Sequence, residues 1–176
     1  MGVCLVLGGA RSGKSAYAQA AAEACVRGRG GALTFVATAE GRDAEMQARI
    51  AQHQADRGEA WRLVEAPLDL ESVLGGVGDG EVVLVDCLTL WLSNSMLLED
   101  GDGHARRTEA LLAAIKVVQG DVWLVSNEVG WGVVPDNALA RRYRDEAGRL
   151  HQAIAAMANA VVLVVAGLPL VLKGEA

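Results

Sequence analysis

Aromatic side chains are scarce in this chain: one Phe, two Tyr and four Trp among 176 residues. A β-sandwich core is therefore a poor fit, whereas abundant Val, Leu and Ala suit a layered α/β protein. Positive charge is also in short supply. Sixteen Lys and Arg against 22 Asp and Glu leave a formal charge of −6, which argues against a general nucleic-acid binder. Any anion site must then be local, built from a few cations and backbone N–H groups. Cysteine is limited to Cys4, Cys25 and Cys87, an odd number without metal-ligand spacing. Reduced thiols in a cytoplasmic protein are the expectation. No stretch is long enough to span a bilayer, because AVVLVVAGLPLVL (160–172) is short and broken by Gly167 and Pro169. It reads as two buried strands. The first residues lack a basic leader, and Val6 stands where a myristoylation motif needs Ser or Thr.

What is present is order. Short Val/Leu runs at 3–7, 33–37, 82–86, 122–126 and 161–166 lack polar alternation, as strands covered on both faces do. WRLVEA (61–66) adds a possible strand, and LVLK (170–173) a last one at an edge. Between them lie helix patterns at 14–28, 43–58, 88–98, 105–118 and 136–158, with glycine turns at 28–31 and 75–80. The expectation is a single α/β domain over 1–176. It has a P-loop NTPase-like three-layer fold, mostly parallel, with a short antiparallel edge strand.

GGARSGKS, residues 8–15, fits G-x-x-x-x-G-K-[ST] and lies between the first strand and the first helix pattern. In such a loop Gly8, Gly9, Ala10, Arg11, Ser12 and Gly13 turn their N–H groups toward phosphate oxygens. The helix N-terminus adds its positive end. Lys14 is expected to reach the terminal phosphates and Ser15 to ligate Mg²⁺. Asp86, closing EVVLVD, is the expected acidic partner of the metal, with a helix N-cap as its alternative role. The chain is thus expected to bind a nucleoside triphosphate. No Asn-Lys-x-Asp guanine reader accompanies the loop, and DEAG (145–148) lies inside a helix pattern. Arg49, His53 and Arg57 are spaced to share one helix face. His104, in the acidic glycine-rich EDGDGHARR, is expected to be solvated, and His151 is given no chemistry.

GGARSGKS, RIAQHQADR (49–57), VDCLTLW (85–91), SNEVGWGVVP (126–135), ARRYRDEAGRLHQ (140–152) and VVAGLPLVLK (164–173) occur in one order. In this the chain resembles the bifunctional adenosylcobinamide kinase/adenosylcobinamide-phosphate guanylyltransferase family. The resemblance covers nearly the whole chain. It implies phosphorylation of a corrinoid hydroxyl, followed by transfer of GMP from GTP to the new phosphate with release of pyrophosphate. His53 would carry the GMP, and the two flanking arginines would favour its neutral, nucleophilic form. Thr38, Ala39, Glu40, Gln54, Ala55, Asp56, Arg57 and Glu65 resemble nucleotide-contacting positions. His151 stands where the family commonly has Asn, and Asp86 where it often has Glu. The resemblance also implies GTP and ATP as substrates, Mg²⁺ as cofactor, adenosylcobinamide as partner and a homo-oligomer, with a trimer as its form. A kinase without nucleotidyl transfer and a GTP-binding module without turnover remain as alternatives.

Overall fold

The computed structural model describes residues 2–27, 30–39, 60–98 and 103–175. Among these residues seven strands make one sheet: β1 (Val3–Gly8), β2 (Leu33–Ala37), β3 (Trp61–Glu65), β4 (Val82–Asp86), β5 (Asp121–Asn127), β6 (Ala160–Val165) and β7 (Leu168–Lys173). Their order is β3-β2-β4-β5-β1-β6-β7. All neighbours are parallel except β6 and β7, which pair antiparallel. The five unalternating runs expected to be strands are β1, β2, β4, β5 and β6. Residues 61–65 form the edge strand β3.

The described helices are α1 (Lys14–Val26), α2 (Leu70–Gly75), α3 (Leu88–Leu98), α4 (Gly103–Val117) and α5 (Ala138–Met157). Strand side chains alternate between two cores, because successive Cβ atoms point to opposite faces. On one face Leu5, Leu7, Val83, Val85, Val122 and Leu124 meet Leu88, Trp91, Leu92, Leu111, Ile115, Leu150 and Ile154 from α3, α4 and α5. On the other, Cys4, Val6, Leu84, Trp123, Val125 and Val162 meet Ala18 and Ala22 of α1. Alanine at both α1 positions lets that helix lie close to the sheet. The sheet between two helix layers is the expected architecture. The helix expected over 43–58 lies outside the described residues.

The six-residue helix α2 falls in a stretch that carries no assignment between the expected strand at 61–66 and the glycine turn, since so short a segment shows no helical period in the sequence. It ends at Gly75, inside the expected glycine turn. β7 was expected to be buried, yet every residue of it is exposed. Nothing described covers it beyond β6, so its apolar residues mark the sheet margin rather than its interior. The turn joining it to β6 has two central residues, Ala166 and Gly167, at φ 52° and 80°. This is the double positive φ of a type I′ hairpin.

Candidate nucleotide site

Parallel strands direct all their carboxyl ends to one edge of the sheet, where ligands of open α/β folds bind. Residues 8–15 leave β1 at this edge and run into α1. Arg11 and Gly13 take φ values of 55° and 94°, which curl the loop. A Cβ on Gly8 would come within 2.5 Å of the Val164 carbonyl oxygen, so the loop start has no room for a side chain. Gly13 is the N-cap of α1 and offers no side-chain acceptor. The first-turn N–H groups of α1 are therefore left for an anion.

Lys14 is buried, 7% exposed, and its Nζ donates to the Gly9 carbonyl at 3.0 Å. Burial lowers its pKa, while the negative charge of Asp86 opposes that shift. An ammonium ion held against its own desolvation gains from any phosphate that enters. Asp86 ends β4, in register with Ala37 of β2 and Val125 of β5. Cys87 separates it from Leu88, the first residue of α3. Ser15 is half-buried in the first turn of α1. The loop, Lys14, Ser15 and Asp86 thus gather at one edge.

Thr38 is fully buried. Its hydroxyl donates to the Cys87 carbonyl at 2.7 Å and accepts from the Cys87 N–H at 2.8 Å. Asn94 Nδ2 donates to the Thr38 carbonyl at 2.9 Å. Thr38 therefore ties the end of β2 to the turn after Asp86. Ala39, next along, is half-buried. Glu65 is exposed at the end of β3, four strands from β1, or roughly 19 Å across the sheet at strand spacing. Glu40, Arg49, His53, Gln54, Ala55, Asp56 and Arg57 lie outside the described residues.

The structure corrects the expectation for His104. It is buried in the first turn of α4, with Nδ1 3.2 Å from Ser95 Oγ and Nε2 4.0 Å from Glu146. The polar composition around it masked a helix start that packs against α3 and α5. The arginines of α5 behave as members of a solvated face. Arg144 pairs with Asp145 at 3.3 Å and Arg149 with Glu146 at 2.9 Å. DEAG is helical, as its surroundings implied.

SNEVGWGVVP, a motif read from the sequence without roles for its individual residues, opens with a polar cluster where β5 ends. Asn127 Nδ2 donates to Thr89 Oγ1 at 2.9 Å, and Thr89 Oγ1 lies 2.9 Å from Cys87 Sγ. Glu128 N–H donates to the Gly8 carbonyl at 3.0 Å, and its carboxylate faces buried His151. The available signal was polar Asn127–Glu128 directly after a buried apolar strand. Nearby, an apolar groove of about 300 Å³ opens between α3 and α5, lined by Ser93, Met96, Leu97, Asn137, Leu139 and Tyr143, among others.

Residues 4–172 match the model of the family described as cobinamide kinase / cobinamide phosphate guanyltransferase. The chain belongs to that family. It is 50% identical over 173 residues to the bifunctional adenosylcobalamin biosynthesis protein CobP of Pseudomonas aeruginosa, covering 97% of each chain. It is 38% identical over 183 residues to the protein CobU of Escherichia coli that carries the same description, covering 96% of this chain and 98% of that one. Among solved structures, the flagellar accessory protein FlaH of Methanocaldococcus jannaschii superposes with a TM-score of 0.52 at 13% identity. That likeness covers 99% of this chain and 79% of FlaH and concerns the fold alone. Family membership and the P-loop geometry together make this an α/β nucleotide-using enzyme of adenosylcobalamin biosynthesis.

Proposed function

We propose that the chain, as one catalytic domain, phosphorylates adenosylcobinamide with a nucleoside triphosphate. It then transfers GMP from GTP to the product, giving adenosylcobinamide-GDP and pyrophosphate. The observation that carries the first half is the buried, partly compensated Lys14 at the mouth of a glycine loop, with Asp86 two strands away. Loop N–H groups and Lys14 hold the β- and γ-phosphates and stabilise the charge that develops on them. The oxygen donors Ser15 and Asp86 suit Mg²⁺, which when bound with the nucleotide neutralises phosphate charge.

In the second half His53 attacks the α-phosphorus of GTP. A nitrogen–phosphorus bond forms, and the bond to the α–β bridging oxygen breaks to release pyrophosphate. The corrinoid phosphate oxygen then displaces the imidazole and takes the GMP. Two displacements replace one between mutually repelling anions. Arg49 and Arg57 offset charge on the α-phosphate. Thr38 acts by holding the end of β2, and Ala39, Glu40, Gln54, Ala55, Asp56, Arg57 and Glu65 border the nucleotide.

The enzyme works as a homo-oligomer, with the trimer as its expected form. Support comes from the exposed apolar side chains of β7, including Leu168 (73% exposed) and Leu172, and from Trp131 and Val133 in the loop after β5. A native mass of three chains at micromolar concentration checks this. Among the described residues no helix is long and apolar enough to cross a membrane. Among the described residues no disulfide joins the cysteines, which fits work in the cytoplasm.

The reaction itself is tested with purified protein, adenosylcobinamide, Mg²⁺ and ATP, followed by GTP. The reading expects corrinoid monophosphate first, then corrinoid-GDP with one pyrophosphate per product. Monophosphate that never proceeds marks a kinase only. GTP bound without any corrinoid product marks a binding module.

A further inference from the structure

Ser126, His151 and Glu128 form a polar chain at the carboxyl end of β5. Ser126 Oγ lies 2.7 Å from His151 Nε2, and His151 Nδ1 lies 3.4 Å from Glu128 Oε1. These are the residue types of a hydrolase triad, but Ser126 is fully buried and no substrate reaches its hydroxyl. The chain must serve its other end.

Its direction follows from protonation. Burial lowers the His151 pKa and outweighs the opposite pull of Glu128, so the ring is neutral with a single N–H. A carboxylate only accepts, which places that N–H on Nδ1 toward Glu128 and leaves Nε2 to accept the Ser126 hydroxyl proton. Ser126 thus fixes His151, and His151 fixes the carboxylate.

Glu128 stands against the phosphate loop. Its backbone N–H is bonded to the Gly8 carbonyl, and β5 runs between β1 and β4, so Glu128 leaves the sheet between the loop and Asp86. Its side chain is 18% exposed, and among the described residues no Lys or Arg comes within 4.0 Å of its carboxylate. An uncompensated negative group beside a triphosphate site is electrostatically costly. Holding His151 does not require that charge, since a neutral amide accepts the same N–H. Accepting a proton does require it.

We propose that Glu128 is a catalytic residue of phosphoryl transfer, taking the proton from the acceptor hydroxyl, with His151 as its positioning residue. This role rests on the proposed kinase activity. The hydroxyl oxygen bonds to the γ-phosphorus, and the bond from that phosphorus to the β–γ bridging oxygen breaks. The nucleoside diphosphate departs with the electron pair. The hydroxyl proton passes to Glu128, which later releases it to water. Guanylyl transfer has no need of this base, because neutral imidazole and a phosphate anion already carry free lone pairs.

The two half-reactions therefore separate the role from the reading beneath it. Full-length wild type, Glu128→Gln, His151→Leu and His151→Asn are assayed for corrinoid phosphorylation and for labelling of His53 by GTP carrying label at the α-phosphate. Glu128→Gln is expected to lower kcat of phosphorylation about 100-fold, with the nucleotide KM within about threefold and His53 labelling retained. His151→Leu should lower kcat about tenfold, and His151→Asn, which keeps a donor and an acceptor, should recover to within about threefold of wild type. Phosphorylation by Glu128→Gln at near wild-type kcat overturns the role of Glu128 and leaves the two-step reading standing. Loss of phosphorylation and labelling together in that variant also overturns it, as a structural defect. Equal kcat for the two His151 variants overturns the positioning role. A wild type that labels His53 but never phosphorylates the corrinoid removes the kinase step and this base with it.

Discussion

Gly167 donates its backbone N–H to the Ser12 carbonyl at 2.8 Å, joining the β6–β7 turn to the phosphate loop. The contact is tight, since a Cβ on Gly13 would come within 3.2 Å of the Gly167 Cα. At Gly167 itself a Cβ would meet nothing within 4 Å, but φ is +80°. The cost of a side chain there is conformational, not steric. Gly167→Val is expected to lose about 1–2 kcal/mol of stability and to raise the nucleotide KM several-fold. Gly167→Asn, which tolerates left-handed backbone, should lose less in both. Denaturant midpoints and nucleotide titrations of the two variants check this.

Lys14 illustrates a residue kept for function against stability. Its desolvation is only partly offset by Asp86. Lys14→Met keeps most of the stem and removes the charge. The expected result is a ligand-free melting temperature equal to or above wild type, with phosphorylation reduced about 100-fold or more. Thermal melting beside a kinase assay measures both sides. A less stable variant with normal turnover would contradict the assignment.

Local patterns made much of the fold legible in advance. Unalternating runs such as VCLVL and VVLVD marked buried parallel strands, and GGARSGKS marked the loop after the first of them. Contacts between distant segments were not legible. His104 looked solvated because its neighbours are acidic and glycine-rich, yet the helix it begins turns its ring toward Ser95. β7 looked buried because composition cannot distinguish a covered strand from one at a bare margin. His151 and Glu128 meet only because α5 packs beside β5, across 23 residues of chain.

Among the described residues two buried histidines make the fold sensitive to acid. Burial lowers the pKa of both His104 and His151 below the usual 6.5. The unfolded chain therefore binds protons that the folded one refuses, so stability is full above pH 6.5 and falls as pH drops below it. Melting temperatures taken from pH 8 to pH 5 should be level and then decline. His104→Gln should shallow the decline. A melting temperature that climbs toward pH 5 would contradict the burial argument.

Trp91 and Trp123 are both buried but differently satisfied. Trp91 Nε1 donates to the Leu68 carbonyl at 2.7 Å, whereas Trp123 Nε1 has no partner among the described residues. Replacement by Phe removes similar volume from each. Trp91→Phe gives up a hydrogen bond to a carbonyl that keeps the Leu70 N–H and Arg107 Nη1, whereas Trp123→Phe removes an unsatisfied donor, so the first should cost about 1 kcal/mol more than the second. Urea unfolding of the two variants compares them directly.

The central claim concerns His53, and labelling tests it most directly. Protein incubated with Mg²⁺ and GTP labelled at the α-phosphate, without corrinoid, is digested and the labelled peptide sequenced. The account predicts one acid-labile, base-stable label on His53, absent from His53→Asn and discharged by adenosylcobinamide phosphate. Label that persists undiminished in His53→Asn, or that maps to another residue, would contradict it.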